Sequence, residues 1–282
     1  EDITIEKGNV INITHNSDKK HQFSVIDIYR YREQIKQLQR YRNNSNNFPL
    51  DIELKSLNDF IQTIVTTVIL EEPYNWLICE GSSDKVYLET FLENQRSIKI
   101  IPVGSITEIK KIYEYLLVAF KELRKIEKLK GKVLMLVDTD AKYTDIEVYK
   151  SNNIERNLIC KRLINTNSIT ELVIANDDKR SPITTIEDVL TPKSFKETML
   201  YFKNNYDKDL LKCVEEMDVE KSNSYTSLNL RPTEIEKLNT FFKLSDGKMK
   251  YDFSIKYKEN FKLLKENNPE WINQINVFFY NN

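Results

Sequence analysis

The chain has 282 residues, 40% of them hydrophobic and 30% charged, and its 42 Lys and Arg balance 43 Asp and Glu to a net charge of -1. This describes a folded protein of one or two domains, excludes a disordered or fibrous chain, and provides no global positive field to draw in a nucleic acid. Cys79, Cys160 and Cys213 lie far apart with no C-x-x-C pair, and no apolar stretch or leader resembles a membrane span or signal peptide; a disulfide framework and a zinc site are excluded, and reduced thiols and a cytoplasmic location are expected.

In chain order, ITIEKGNVINITH and HQFSVIDIYRY alternate apolar and polar residues around the polar turn Asn16-Ser17-Asp18, which predicts two strands. REQIKQLQRYR predicts a short basic helix, and NNSNN (43–47) a loop or boundary. After Pro49, Leu54, Leu57, Ile61, Ile64, Val65 and Val68 recur at helical spacing. From Asn75 the rhythm changes. NWLIC predicts a buried strand, and SSDKVYLETFLENQ a helix capped by Ser82 or Ser83. SIKIIPV predicts a second strand, Gly104-Ser105 a turn, TEIKKIYEYLLVAFKELRKIE a helix, and KVLMLVDTD a third strand. LICKRLI and TELVIAND supply further strand candidates, and beyond about residue 190 the pattern is helical and charged. This β-α-β-α-β order predicts an α/β fold with a parallel sheet flanked by helices.

In such a sheet, ligands bind outside the carboxyl ends of the strands. Glu80 closes the NWLIC strand, and Asp138 and Asp140 close KVLMLV, two residues apart and so on one side of an extended chain. Glu80 and Asp84 straddle a strand-to-helix turn through Gly81. Carboxylates converging on one edge cannot all stay ionised without a cation, because like charges raise one another's pKa. Oxygen-only ligands favour Mg2+ or Mn2+, which bind phosphate oxygens and activate water. His15 and His21 fall outside this pattern and read as structural or surface residues, and Trp76 reads as core.

These residues resemble the Toprim domain, a metal-binding module shared by topoisomerases, bacterial primases and nucleases of the OLD (overcoming lysogenization defect) family. Its motifs are a strand ending in Glu-Gly, a Gly after the second strand, and a strand ending in Asp-x-Asp. They stand here as Glu80-Gly81, Gly104 and Asp138-Thr139-Asp140, with Ser105 where a second Gly is usual. The EGSSD form is similar to that of the OLD nucleases. These also carry an acidic pair after the third strand, matched by Glu187 and Asp188 in TTIEDVL, and a lysine in a K-x-x-F phrase, matched by Lys250 before Phe253 with Lys248 as a rival. The resemblance covers about residues 75–190 and, more loosely, 240–260.

The resemblance implies a Toprim (Rossmann-like) fold over 49–200 with its leading helix, a strand-rich segment over 1–48 and a C-terminal helical region over 201–282. It implies a Mg2+- or Mn2+-dependent endonuclease cutting DNA, with Glu80, Asp84, Asp138, Asp140 and Glu187 as metal ligands and Glu80, Asp138 and Lys250 in catalysis. RNA cleavage and a non-catalytic interaction module are the alternatives. OLD-family proteins usually carry an ABC-type ATPase ahead of this module. No G-x-x-x-x-G-K-[ST] loop occurs here, so the resemblance leaves a lost ATPase half, a partner ATPase subunit or a stand-alone Toprim nuclease; an ATPase domain or subunit is the expected partner, and the strand-rich 1–48 segment could be the tail of a missing ATPase domain. A homo-oligomer is expected, and the phrase NWLICEGSSDKVYL also resembles antiphage ATPase–nuclease proteins, including retron-associated ones. Two locally basic stretches could meet phosphates. One is 19–42, where Lys19, Lys20, Arg30, Arg32, Lys36, Arg40 and Arg42 interleave with tyrosines; the other is the lysine-rich 243–265.

Overall fold

The computed structural model describes residues 9–15, 21–27, 50–93, 97–125, 129–139, 144–149, 154–166, 169–176, 183–205, 214–215, 219, 232–244 and 248–280. Asp140, Cys213, the expected basic helix and most of the 19–42 basic stretch therefore lie outside the described residues.

The two expected strands are present as β1 (Asn9–His15) and β2 (His21–Asp27), and they pair antiparallel with His15 opposite His21. Helix α1 (Leu50–Thr67) buries Leu57, Phe60, Ile61 and Ile64, which recur every three or four residues on one face. Its end is fixed by Trp76, which is core as expected and donates its indole N–H to Thr67 Oγ1 at 3.0 Å.

The main sheet has five strands: β3 (Asn75–Cys79), β4 (Ile98–Pro102), β5 (Val133–Val137), β6 (Leu158–Thr166) and β7 (Ile169–Ile174). They lie in the order β4-β3-β5-β6-β7. Every neighbouring pair among β4, β3, β5 and β6 is parallel, but β7 runs antiparallel to β6. The expectation of a wholly parallel sheet is corrected at this edge. Only Asn167 and Ser168 separate β6 from β7 in sequence, far too few for the crossover that a parallel neighbour requires.

Helices cover both faces. Strand alternation sends Trp76, Ile78, Val133, Met135 and Val137 toward α1 and α3 (Ile106–Lys125). It sends Leu77, Cys79, Leu134 and Leu136 to the opposite face, the side of α2 (Ser82–Phe91) and α4 (Pro192–Asn205). The same core takes in α5 (Pro232–Lys243), α6 (Lys248–Leu264) and α7 (Trp271–Tyr280), through Phe241, Phe253, Tyr257, Trp271 and Phe279. No helix among the described residues is long and apolar enough to cross a membrane. Cys79 and Cys160 are buried and in no disulfide.

The strand order positions the site. From β3 the chain crosses through α2 to β4 on one side, then returns through α3 to β5 on the other. The carboxyl ends of β3 and β5 therefore flank a switch in chain direction, where an open α/β sheet leaves a crevice.

Candidate functional site at the carboxyl ends of β3 and β5

Glu80 follows β3 directly and Asp138 follows β5 directly. The two meet: the Asp138 N–H donates to Glu80 Oε1 at 3.0 Å. The loop after β4 supports this corner, with the Gly104 N–H donating to the Glu80 carbonyl at 2.8 Å. Gly104 has φ 110°, a left-handed conformation that favours glycine.

Helix α2 starts differently from expectation. The cap is Gly81, not Ser82 or Ser83. Asp84 turns its carboxylate back over the helix start and accepts the Gly81 N–H at 2.5 Å. A Cβ on Gly81 would stand 3.0 Å from both Asp84 carboxylate oxygens, so the small residue leaves room for the acid. Asp84 is buried all the same.

Glu187 arrives by a separate route. Thr139 and Thr184 form an isolated antiparallel bridge, with backbone bonds of 2.8 and 2.9 Å. This pins the segment 183–185 beside the end of β5. A 3-10 turn (Ile186–Val189) then carries Glu187 inward. Asp188, its acidic neighbour in sequence, serves the backbone instead and accepts the Thr185 N–H at 2.7 Å. The Glu187 side chain is 4% exposed and pairs through Oε2 with Lys250 Nζ at 2.9 Å. Lys250 projects from the first turn of α6, and its side chain is 32% exposed. Lys248 is exposed, so Lys250 is the lysine that α6 brings to the carboxylates.

Charge is crowded here. Burial, then Asp84, drives the Asp138 carboxyl well above its ordinary pKa; Lys250 opposes this, and Glu80 and Glu187 add to it. Burial likewise raises Glu187, against the pull of Lys250. Burial disfavours the Lys250 ammonium, but Glu187, Asp84 and Asp138 together outweigh it and hold the lysine above its usual value. Tyr87, one turn along α2 from Asp84, is also buried at the cluster. Burial and then the Glu187 and Asp84 carboxylates raise its hydroxyl's pKa well above normal.

The donor chemistry fits a hard divalent cation, since these are carboxylate oxygens from three chain segments. Glu187 Oε1 and the Tyr87 hydroxyl are both buried without a well-formed hydrogen bond, although the hydroxyl lies near enough to the Glu187 carboxylate to interact with it. A buried carboxylate oxygen so weakly satisfied is costly, and a cation would satisfy it better. As the side chains stand, however, no group of three Asp, Glu, His or Cys residues among the described residues is placed to hold a metal ion. The carboxylates face protein donors instead: Glu80 the Asp138 amide, Asp84 the Gly81 amide, and Glu187 the Lys250 ammonium. The structure thus brings Glu80, Asp84, Asp138, Glu187 and Lys250 to one corner, and Asp140 falls outside the described residues.

Two residues of this corner escaped the sequence reading. Tyr87 could have been found by its spacing of three from Asp84, which places both on one face of a helix. Arg162 is buried in β6 and donates to the carbonyls of Asp138 at 3.2 Å, Thr144 at 3.1 Å and Ala175 at 3.2 Å. It braces the backbone from which Asp138 projects. Its signal was a charged pair, Lys161 and Arg162, inside an otherwise apolar strand, of which strand alternation turns only one toward either face.

No family model, curated protein or solved structure matches this chain. What its fold and side chains define is a class: an α/β protein that gathers carboxylates and one lysine at the switch point of a mostly parallel sheet.

Proposed function

We propose that this chain is the nuclease portion of an ATPase–nuclease of the OLD type, a Toprim-like hydrolase of DNA phosphodiester bonds that uses Mg2+ or Mn2+ and serves in antiphage defence. One observation carries the proposal. Acidic side chains from separate segments meet at the carboxyl ends of β3 and β5, with Glu80 Oε1 3.0 Å from the Asp138 amide and Glu187 paired to Lys250. Glu80, Asp84, Asp138 and Asp140, with Glu187, are the proposed metal ligands. A bound divalent ion would polarise a phosphate oxygen and acidify a water. The chain's own contribution is positional. Arg162 and the Asp138 amide fix the two strand ends, and Asp84 is held at the start of α2. Lys250 is the donor placed to neutralise charge developing on a phosphate.

Supercoiled plasmid incubated with the protein and Mg2+ or Mn2+ tests this reading. Nicking or linearisation is expected, with at least a hundredfold loss in Asp138→Ala. Undiminished cutting by a folded Asp138→Ala variant would remove Asp138 from the chemistry. Cleavage of RNA in place of plasmid would move the assignment to a ribonuclease.

A second reading is a non-catalytic interaction module, favoured by the protein donors that Glu80, Asp84 and Glu187 already face. Calorimetric titration with Mn2+ separates the two, since a module that needs no metal binds none.

A further inference from the structure

The carboxylate corner already contains a cation. Lys250 Nζ lies 2.9 Å from Glu187 Oε2, and Glu187, Asp84 and Asp138 all act on its charge. The ion pair is lopsided. Glu187 is almost wholly buried and its Oε1 makes no well-formed hydrogen bond, whereas about a third of the Lys250 side chain is exposed. Part of the lysine side chain thus reaches solvent while its ammonium is held among the carboxylates, and the glutamate does not reach solvent at all. A lysine carries its charge on a flexible four-carbon stem, so the ammonium can move several ångströms without disturbing α6. Phe253, Tyr257 and Phe261 anchor that helix independently.

An ammonium and a divalent ion compete for the same oxygens and repel each other if both sit on one buried carboxylate. We infer that Lys250 is a tethered, displaceable counter-ion. It fills the cluster while no metal is bound and leaves Glu187 when a divalent ion enters. The freed ammonium then turns toward the anionic oxygen of a phosphate ligand. The inference rests on the metal-dependent reading above and adds a consequence. Metal and phosphate help each other bind, because each favours the displaced position of one side chain.

The test measures Mn2+ binding without nucleic acid, by calorimetry and by the loss of the free-Mn2+ paramagnetic resonance signal. Wild type, Lys250→Met and Lys250→Gln are compared, with circular dichroism to confirm folding. Lys250→Met is expected to bind Mn2+ at least tenfold more tightly than wild type, with Lys250→Gln in the same direction. In parallel, acylation of Lys250 in the wild-type protein, read by peptide mass spectrometry, should speed up severalfold when Mn2+ is added. Wild type that binds Mn2+ with equal or tighter affinity than both variants overturns the counter-ion role and leaves the metal reading standing. Unchanged acylation of Lys250 in Mn2+-loaded wild type does the same, even if neither variant folds. Absence of Mn2+ binding in wild type and folded variants alike overturns both.

Discussion

Two carboxylates on the same side of the molecule, Glu266 and Glu187, are held in opposite ways. Glu266 follows α6 and reaches the start of α4. Its Oε2 accepts from Thr191 Oγ1 at 2.8 Å, from the Ser194 N–H at 2.8 Å and from the Ser194 hydroxyl. A carboxylate there satisfies orphan amide donors and complements the helix dipole. Thr191 in turn bonds the Tyr257 hydroxyl, so α4 and α6 are locked together through one acid. Glu187 sits deeper yet has one ion-pair partner and one oxygen without a well-formed hydrogen bond. A carboxylate that serves the fold is surrounded by fixed donors. One left half-satisfied among like charges is held in place by the rest of the structure, and such strain concentrates at functional sites.

Substitution breaks this comparison most sharply at Glu266. Glu266→Ala should cost about 2–4 kcal/mol in urea denaturation, because a cap and the donors that converge on it are lost together. A smaller effect, of opposite sign, is expected at Asp138. Its carboxyl is raised by burial and then by Asp84, so the folded state holds that proton more tightly than the unfolded chain. The associated stability is fully present below the ordinary value of 3.8 and is lost as pH rises through the folded pKa. Asp138→Asn should therefore stabilise the metal-free protein at pH 8, on the order of 1 kcal/mol, and flatten its melting temperature against pH. A steeper profile in the variant would contradict the crowding of charge at this corner.

Glu187→Gln is the direct counterpart of Glu266→Ala. It loses an ion pair but also removes a buried charge, and Lys250 can turn to water. Its expected cost is under about 1 kcal/mol in the same denaturation assay. A loss as large as that of Glu266→Ala would make Glu187 a structural residue. The smallest effect belongs to Tyr87→Phe. The hydroxyl makes no well-formed hydrogen bond, only a weak contact with the Glu187 carboxylate, so stability should stay within about 0.5 kcal/mol of wild type.

Much of the fold was legible in the sequence because hydrophobic period and turn residues act locally. The apolar runs NWLIC, IKIIP and VLMLV became strands, and the three- and four-residue spacing of α1 became its buried face. Glu80 and Asp138 were legible because a carboxylate ending an apolar strand marks the sheet's ligand-binding edge. The cap of α2 was misassigned, since local propensity favoured a serine while the Asp84 carboxylate claimed the Gly81 amide. The direction of β7 was missed because strand-forming pattern is blind to pairing sense. Arg162 and Tyr87 were hidden because neither carries a motif; their roles exist only through partners far away in the chain.

Sequence alone determined the strand–helix order, the two-sided burial of the sheet, and the positions where acids would close its strands, all consequences of short-range chemistry. The tertiary structure alone decided what those acids face. The Thr139–Thr184 bridge brings Glu187 beside β5, and the packing of α6 on α2 delivers Lys250 to it. The cation in the cluster is thus an ammonium from more than a hundred residues downstream of β5, because electrostatic partnership is set by distance in space and not along the chain.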